Sequence, residues 1–245
     1  MKIKVAVIIP CFNEQDNIIN VIDDVLNNAP KNEDWQAIVV NDCSTDETIS
    51  KLHADGRAVV LDLACNLGVG GAVQTGFMYA SENNFDFAFK FDGDGQHRAD
   101  YIPALLDVLK NDQADFVVGS RFVERNSQGF KSTSLRRVGI RFFRILIKSV
   151  SGYTPSDPTS GFRGYNRKAL KFATRYYPSF DYPEPEELVL MKKNNFRIKD
   201  VFTEMRERQG GTSSISLLKS VYYMFKVGFA ILMVASRPKE KDFSL

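Results

Sequence analysis

From residue 4 to about 120, short β-branched runs alternate with longer stretches of helical spacing, and nearly every short run ends in a polar cluster. A strand buried on both faces reads as a near-continuous apolar run, and a helix between two such runs carries the chain back for parallel pairing. The segment therefore reads as repeated β-α units on a mostly parallel sheet flanked by helices. Strands are predicted over residues 5–10, 37–41, 58–63, 85–91 and 116–119, and helices over 14–28, 45–54, 70–81 and 100–109. In open sheets of this kind ligands bind outside the carboxyl ends of the strands. The residues standing there are Asn13 and Glu14, Asp42 through Asp46, Asn66 through Gly71, Asp92 through His97, and Ser120 with Arg121.

Composition narrows the class further. The 245 residues are 44% apolar and 25% charged, which excludes a disordered chain, and a net charge of +2 gives no electrostatic reason to bind nucleic acid. Three cysteines with no C-x-x-C pair speak against a disulfide framework or a structural zinc. Cys11, Cys43 and Cys65 read as small buried filler, Trp35 as core, and His53 as a surface residue. The strand-like amino terminus has no apolar run of signal-peptide form, so a cytoplasmic protein is expected. Beyond residue 125 the alternation gives way to a basic stretch, a turn-rich segment at 156–161, a last strand near 198–203 and an apolar helix over 217–235. The simplest division is a catalytic domain over 1–212, with the basic helix at 131–150 inside it, and a carboxy-terminal helix and tail over 213–245.

The sharpest chemical signal is Asp92-Gly93-Asp94-Gly95-Gln96-His97 at a strand end. Two carboxylates two residues apart, followed by a side-chain amide, can converge on one hard cation, and the same residues also suit a plain turn. His97 beside them can touch phosphate or metal. Asn41-Asp42-Cys43-Ser44-Thr45-Asp46 can cap a helix through Ser44 or Thr45 while Asp42 faces outward to read a base or ribose. Asn66-Leu67-Gly68-Val69-Gly70-Gly71-Ala72 opens a helix, so its glycines serve either close ligand approach or helix–strand packing, and its N–H groups suit phosphate. It is a poor dinucleotide fingerprint, with Val73 at the position in question, and no G-x-x-x-x-G-K-[ST] loop occurs.

In their order and spacing, these segments together with Ile8-Ile9-Pro10-Cys11-Phe12-Asn13-Glu14 resemble glycosyltransferase family 2. Gly119-Ser120-Arg121, Asp157-Pro158-Thr159-Ser160-Gly161-Phe162-Arg163 and Arg208-Gln209-Gly210-Gly211-Thr212-Ser213 narrow the resemblance to dolichol- and polyprenyl-phosphate sugar transferases. The resemblance implies a GT-A fold, a nucleotide-diphosphate sugar donor, Mg²⁺ or Mn²⁺, and inversion at the anomeric carbon. It places Pro10, Glu14, Asp42 and Asp46 around the nucleoside, with Asn13, Ser44, Asn66, Gly68 and Gly71 on the same donor edge. Asp92 falls beside the sugar–diphosphate and, with Asp94 and Gln96, in the metal set. Arg121, Arg136 or Arg137, Arg163 and Arg208 then meet the diphosphate or an anionic acceptor, with Ser213 on the acceptor side. The charges agree with this, because a diphosphate facing carboxylates is repelled until a cation bridges them.

Two acceptors are open. A polyprenyl phosphate is already an anionic nucleophile. A saccharide hydroxyl, as in bacterial surface-polysaccharide synthesis, needs a general base, and Glu184, Glu186 or Glu187 can supply one. Two departures weaken the first: Ser214 stands where the phosphate-acceptor motif usually carries Lys, and the stretch from Asp181 to Glu187 resembles the polysaccharide enzymes. The polyprenyl phosphate is still the acceptor expected, because Arg121, Arg136 or Arg137 and Arg208 supply more guanidinium donors than a diphosphate already carrying a metal needs. Those glutamates also read simply as the acidic first turn of a helix after Pro185.

The membrane enters through two segments. Residues 131–150 hold six Lys/Arg and no acid. On a helix Arg137, Arg141, Arg144 and Lys148 form one stripe beside Val138, Phe142, Phe143, Ile145, Leu146 and Ile147, which suits either an interfacial helix on an anionic membrane or a packed helix with a solvated edge. Residues 221–235, broken only by Lys226 and followed by Arg237, Lys239 and Lys241, are marginal for spanning. A peripheral protein on the inner face of the cell membrane is expected, with lipid-linked glycan as a further partner class and room for a small membrane-protein partner or a homo-oligomer. The rival readings are a nucleotidyltransferase, which should carry a Gly- and Arg/Lys-rich loop where Pro10 to Glu14 stand, and a scaffold that has lost catalysis, which the intact Asp92, Asp94 and Gln96 oppose.

Overall fold

The computed structural model describes residues 2–123, 134–178, 181–206 and 217–240, with the backbone alone for 134–137 and 217–221. In chain order the elements are β1 (Ile3–Cys11), α1 (Ile18–Asn27), β2 (Glu33–Asn41), α2 (Thr48–Asp55), β3 (Val59–Asp62), α3 (Gly68–Glu82), β4 (Phe87–Lys90), α4 (Ile102–Lys110), β5 (Phe116–Ser120), α5 (Ser134–Ser151), β6 (Arg163–Asn166), α6 (Arg167–Tyr176), α7 (Glu184–Lys193), β7 (Ile198–Phe202) and α8 (Leu217–Ser236). The strands form one seven-stranded sheet in the order β3-β2-β1-β4-β6-β5-β7. Every pairing is parallel except those of β6, which runs antiparallel to both β4 and β5.

The strand periodicity of two divides the core. Val5, Val7 and Ile9 of β1 pack with Ile18, Ile22 and Val25 of α1, Leu52 of α2 and Leu105 of α4. Ala6 and Ile8 face the other way, onto Val73 and Phe77 of α3, Leu170 of α6 and Leu188 of α7. Helix α3 lies close on this face because Gly76 presents no Cβ, and one would overlap the Ile8 side chain. That close approach brings the amino terminus of α3 to the carboxyl edge of the sheet.

The expected alternation holds through β5, with local differences. Strand β2 starts at Glu33, earlier than predicted, paired with β1 from Ile3 onward and anchored where the buried Trp35 donates Nε1–H to Glu33 at 2.7 Å. The first two helices start late, at Ile18 and Thr48, because the residues before them are tied across to one another. Ser44 and Thr45 therefore do not cap α2, whose first residue Thr48 instead gives its N–H to Asp46 at 3.0 Å.

Strand β6 and helix α6 were not expected. The sequence Arg-Gly-Tyr-Asn shows no strand-like alternation, and its place in the sheet comes from packing: a Cβ on Gly164 would overlap the side chains of Phe89 and Val117 on either side. Helix α6 did carry a local signal, since Asn166 caps it by accepting the Ala169 N–H at 2.9 Å.

Helices α5 and α8 lie side by side against α7. The first buries Ile140, Phe143 and Ile147, and the second Val227, Ile231 and Val234. Their outer faces leave Val138, Phe142, Ile145, Tyr222, Phe225, Phe229, Leu232 and Met233 exposed, Phe225 by 76%, with Arg141, Arg144 and Lys148 exposed along α5. No helix among the described residues is long and apolar enough to cross a membrane.

Candidate active site

A cleft of about 230 Å³ opens at the carboxyl edge of β1, β2 and β4, lined by Pro10, Cys11, Phe12, Glu14, Asp42, Val69, Ala72, Asp92, Gly93 and Asp94. Its described lining residues include four carboxylates and no Lys or Arg. A larger hollow of about 830 Å³ lies at the opposite edge of the sheet and contains none of the residues singled out by sequence.

The donor-edge residues divide into those that line the cleft and those that build its rim. Asn13, in the left-handed region at φ 55°, accepts the Thr45 N–H at 2.8 Å, and its own N–H goes to Ser44 Oγ at 3.0 Å. Ser44 in turn donates to Asn41 Oδ1 at 2.5 Å. The N–H of Gln15 reaches Asp46 at 3.3 Å and that of Glu14 reaches Thr48 Oγ1 at 3.0 Å. Asn13, Ser44 and Asp46 thus cross-brace two loops.

Asp42 differs from the outward-facing residue expected. It is buried, and its Oδ1 accepts the Leu67 N–H at 2.6 Å, which satisfies one open donor at the amino end of α3. Asn66 completes this joint through the Asp42 carbonyl at 3.1 Å and the Gly68 N–H at 3.2 Å. Gly68 takes φ 74°, and Gly71 is buried against Leu67, so both shape the turn into α3. Of the cysteines only Cys11 is buried, its thiol pushed up to about 12 by burial and by Glu14 and Asp46, while Cys65 is exposed.

Asp92 occupies the centre. Burial acts to raise its carboxyl, but His97, Lys90 and Arg163 outweigh that and hold it well below the usual carboxylate range. His97 Nε2 lies 2.9 Å from Asp92 Oδ2. On the other side a Cβ at Gly161 would overlap both carboxylate oxygens, so only glycine lets that backbone approach. Asp94 Oδ1 accepts the Gln96 N–H at 3.0 Å, which closes the loop between them.

No cluster of three or more His, Cys, Asp or Glu side chains is arranged to hold a metal among the described residues. The donor set nevertheless fits a hard divalent cation that takes its remaining ligands from substrate and water: two cleft carboxylates stand two residues apart, with no Lys or Arg among the described lining residues.

Beside this lies a buried layer of charge that sequence reasoning found only in part. Arg121 forms a bidentate pair with Asp157, Nε to Oδ2 at 2.5 Å and Nη2 to Oδ1 at 2.8 Å, and reaches Thr159 at 3.1 Å. Arg163 donates Nη1–H to Glu187 at 2.7 Å, and Glu187 also accepts from the Tyr165 hydroxyl at 2.7 Å. Lys90, fully buried, pairs with Glu184 at the start of α7. Lys90 was overlooked, although a lone lysine inside the apolar run Phe-Ala-Phe-Lys-Phe signals a buried partner. Glu186 makes no such pair among the described residues. It is 3% exposed, and burial together with Glu184 pushes its carboxyl up to about 7 against the pull of Arg237 and Lys226. The side chains of Arg136 and Arg137, together with Arg208 and Ser213, lie outside the described set.

Residues 6–172 match the family described as Glycosyl transferase family 2, and the chain belongs to that family. The fold is accordingly of the GT-A type. A UDP-N-acetylglucosamine–dolichyl-phosphate N-acetylglucosaminyltransferase of Methanococcus voltae is 29% identical over 94% of this chain and 95% of its own length. An undecaprenyl-phosphate mannosyltransferase of Micrococcus luteus is 30% identical over 69% of this chain and 68% of its own. Among solved structures, glucosyl-3-phosphoglycerate synthase from Mycobacterium tuberculosis, in complex with Mn²⁺, UDP and glucosyl-3-phosphoglycerate, superposes with a TM-score of 0.72 at 18% identity, covering 97% of this chain and 81% of that one.

Glu186 leads to a pH prediction. A carboxyl raised in the folded state stabilises the fold below its ordinary value of 4.5, and that contribution is lost as pH rises through about 7. In urea unfolding, the stability of the wild type relative to Glu186→Gln should fall by about 3 kcal/mol between about pH 4.5 and pH 8. A difference independent of pH would contradict the placement of this carboxyl.

Proposed function

We propose that this enzyme transfers a sugar from a nucleotide-diphosphate sugar to a polyprenyl phosphate, with inversion, at the inner face of the cell membrane. The observation that carries the choice of acceptor is the state of the acidic turn of α7. Glu184 is committed to Lys90, and Glu187 to Arg163 and Tyr165, so neither stands ready to take a proton from a sugar hydroxyl. A phosphate oxygen needs no such base. It attacks the anomeric carbon as the bond to the diphosphate breaks, and the electron pair leaves with the nucleoside diphosphate. The relatives named for dolichyl- and undecaprenyl-phosphate transfer support this reading.

Pro10, Glu14 and Asp42 border the nucleoside end of the cleft, and Asp92 and Asp94 the diphosphate end, with Gln96 beside them. Mg²⁺ or Mn²⁺, held by Asp92, Asp94 and Gln96, would neutralise the departing diphosphate; the Mn²⁺ and UDP of the structural neighbour support this. Arg136 or Arg137, Arg208 and Ser213 are assigned to the acceptor phosphate by the family pattern. Arg121 and Arg163, engaged with Asp157 and Glu187, set the shape of the sugar and acceptor side from behind. The guanidinium fork suits either task.

A second reading has one observation in its favour. Glu186, without an ion-pair partner among the described residues and raised to about 7, has the proton affinity of a general base, which a saccharide-hydroxyl acceptor requires. Incubating purified protein with Mn²⁺, a panel of nucleotide sugars and undecaprenyl phosphate separates the two. Transfer to the lipid phosphate is expected, retained within a few-fold in Glu186→Gln and reduced by roughly 10²–10³-fold in Asp94→Asn. Activity confined to a saccharide acceptor and abolished by Glu186→Gln would establish the alternative.

The paired outer faces of α5 and α8 are proposed to rest on the membrane, apolar residues inward and Arg141, Arg144 and Lys148 toward anionic headgroups. Each basic side chain near such a surface contributes roughly 1 kcal/mol. In liposome flotation, binding should grow with anionic lipid and fall with salt. Flotation indifferent to both would remove the membrane from the account.

A further inference from the structure

His97 is 1% exposed, and its ring has one polar contact. Nε2 meets Asp92 Oδ2 at 2.9 Å, and since an ionised carboxylate only accepts, Nε2–H donates. The other ring nitrogen, Nδ1, is buried without a partner. The rings of Phe91 and Phe162 stand 5.6 and 5.3 Å away. The backbone is held as well, since His97 bridges to Met205 and the Gln96 carbonyl accepts the Arg206 N–H at 2.8 Å. His97 therefore faces away from the cleft, which it does not line, and cannot offer a second nitrogen to phosphate or metal. Asp92 itself is clasped between this N–H and the Gly161 backbone.

We propose that His97 is a positioning residue: its Nε2–H, working against the Gly161 backbone, fixes the Asp92 carboxylate in the orientation that receives the divalent cation and the donor diphosphate. The proposal rests on the donor reading above and assigns to the histidine a role apart from ligation. A carboxylate freed from this clasp has other rotamers open to it, and the loss of an outer partner of this kind typically weakens metal affinity without removing a ligand.

The test is calorimetric titration of UDP, with GDP as a parallel titrant, into wild-type protein and variants across a range of Mn²⁺ concentrations, with thermal melting as the check on folding. His97→Phe keeps a ring in the apolar cage and removes the donor; its Mn²⁺-dependent nucleotide binding should weaken by roughly 10- to 100-fold. His97→Gln can return an N–H to the same oxygen and should recover to within a few-fold of wild type. Gly161→Ala displaces Asp92 from the opposite side and should reproduce the loss, which keeps the proposal testable if His97→Phe does not fold. Wild-type binding with both His97→Phe and Gly161→Ala unaffected overturns the positioning role alone. Equal loss in the Phe and Gln variants, with lowered melting temperatures, overturns it in favour of simple packing. Wild-type protein that binds neither nucleotide with Mn²⁺ overturns the donor reading and this proposal with it.

Discussion

Negative charge gathered at the carboxyl edge of the sheet is the constraint around which the rest is arranged. Glu14, Asp42, Asp92 and Asp94 share one cleft with no Lys or Arg among its described lining residues. Like charges this close raise one another's proton affinity unless cations offset them. Offsetting charge is supplied from behind: Lys90 and Arg163, both fully buried, act on Asp92 from the sheet itself. Among the described lining residues of the cleft there is no Lys or Arg, and the arrangement suits a diphosphate together with a divalent cation.

The unusual strand is part of this device. β6 enters antiparallel between β4 and β5, and the turn before it carries Gly161 to Asp92 and Asp157 to Arg121. Its first residue, Arg163, points a buried guanidinium at Glu187, which would otherwise be an uncompensated buried carboxylate. Breaking the parallel pattern here thus places three parts of the site at once. The acidic turn of α7 is drawn into the same network by Lys90, and what looks in sequence like a row of available bases is mostly a set of ion-pair partners.

This explains which parts were legible in the sequence. The β-α alternation up to β5 could be read because buried parallel strands and amphipathic helices carry their periodicity locally. The cleft acids could be read because they follow strand ends, where Asp92 and Asp94 stand. Strand β6 could not, since Arg-Gly-Tyr-Asn is a strand only by virtue of the neighbours that close over Gly164. That Asn13, Ser44 and Asp46 brace two loops was equally out of reach: a polar side chain at a strand end has the same appearance whether its partner is substrate or a neighbouring N–H. The partners of Arg121, Lys90 and Glu184 lie 36 and 94 residues away in the chain, beyond the reach of any local pattern.

The cleft's need for a cation is open to direct measurement. Calorimetric titration of a nucleoside diphosphate into protein stripped with EDTA, then repeated after adding Mn²⁺ or Mg²⁺, measures that need without reference to acceptor or product. Binding that appears only with the cation present is the predicted result. Binding of equal affinity in EDTA would show that the four carboxylates tolerate a diphosphate unaided, and would contradict the central claim.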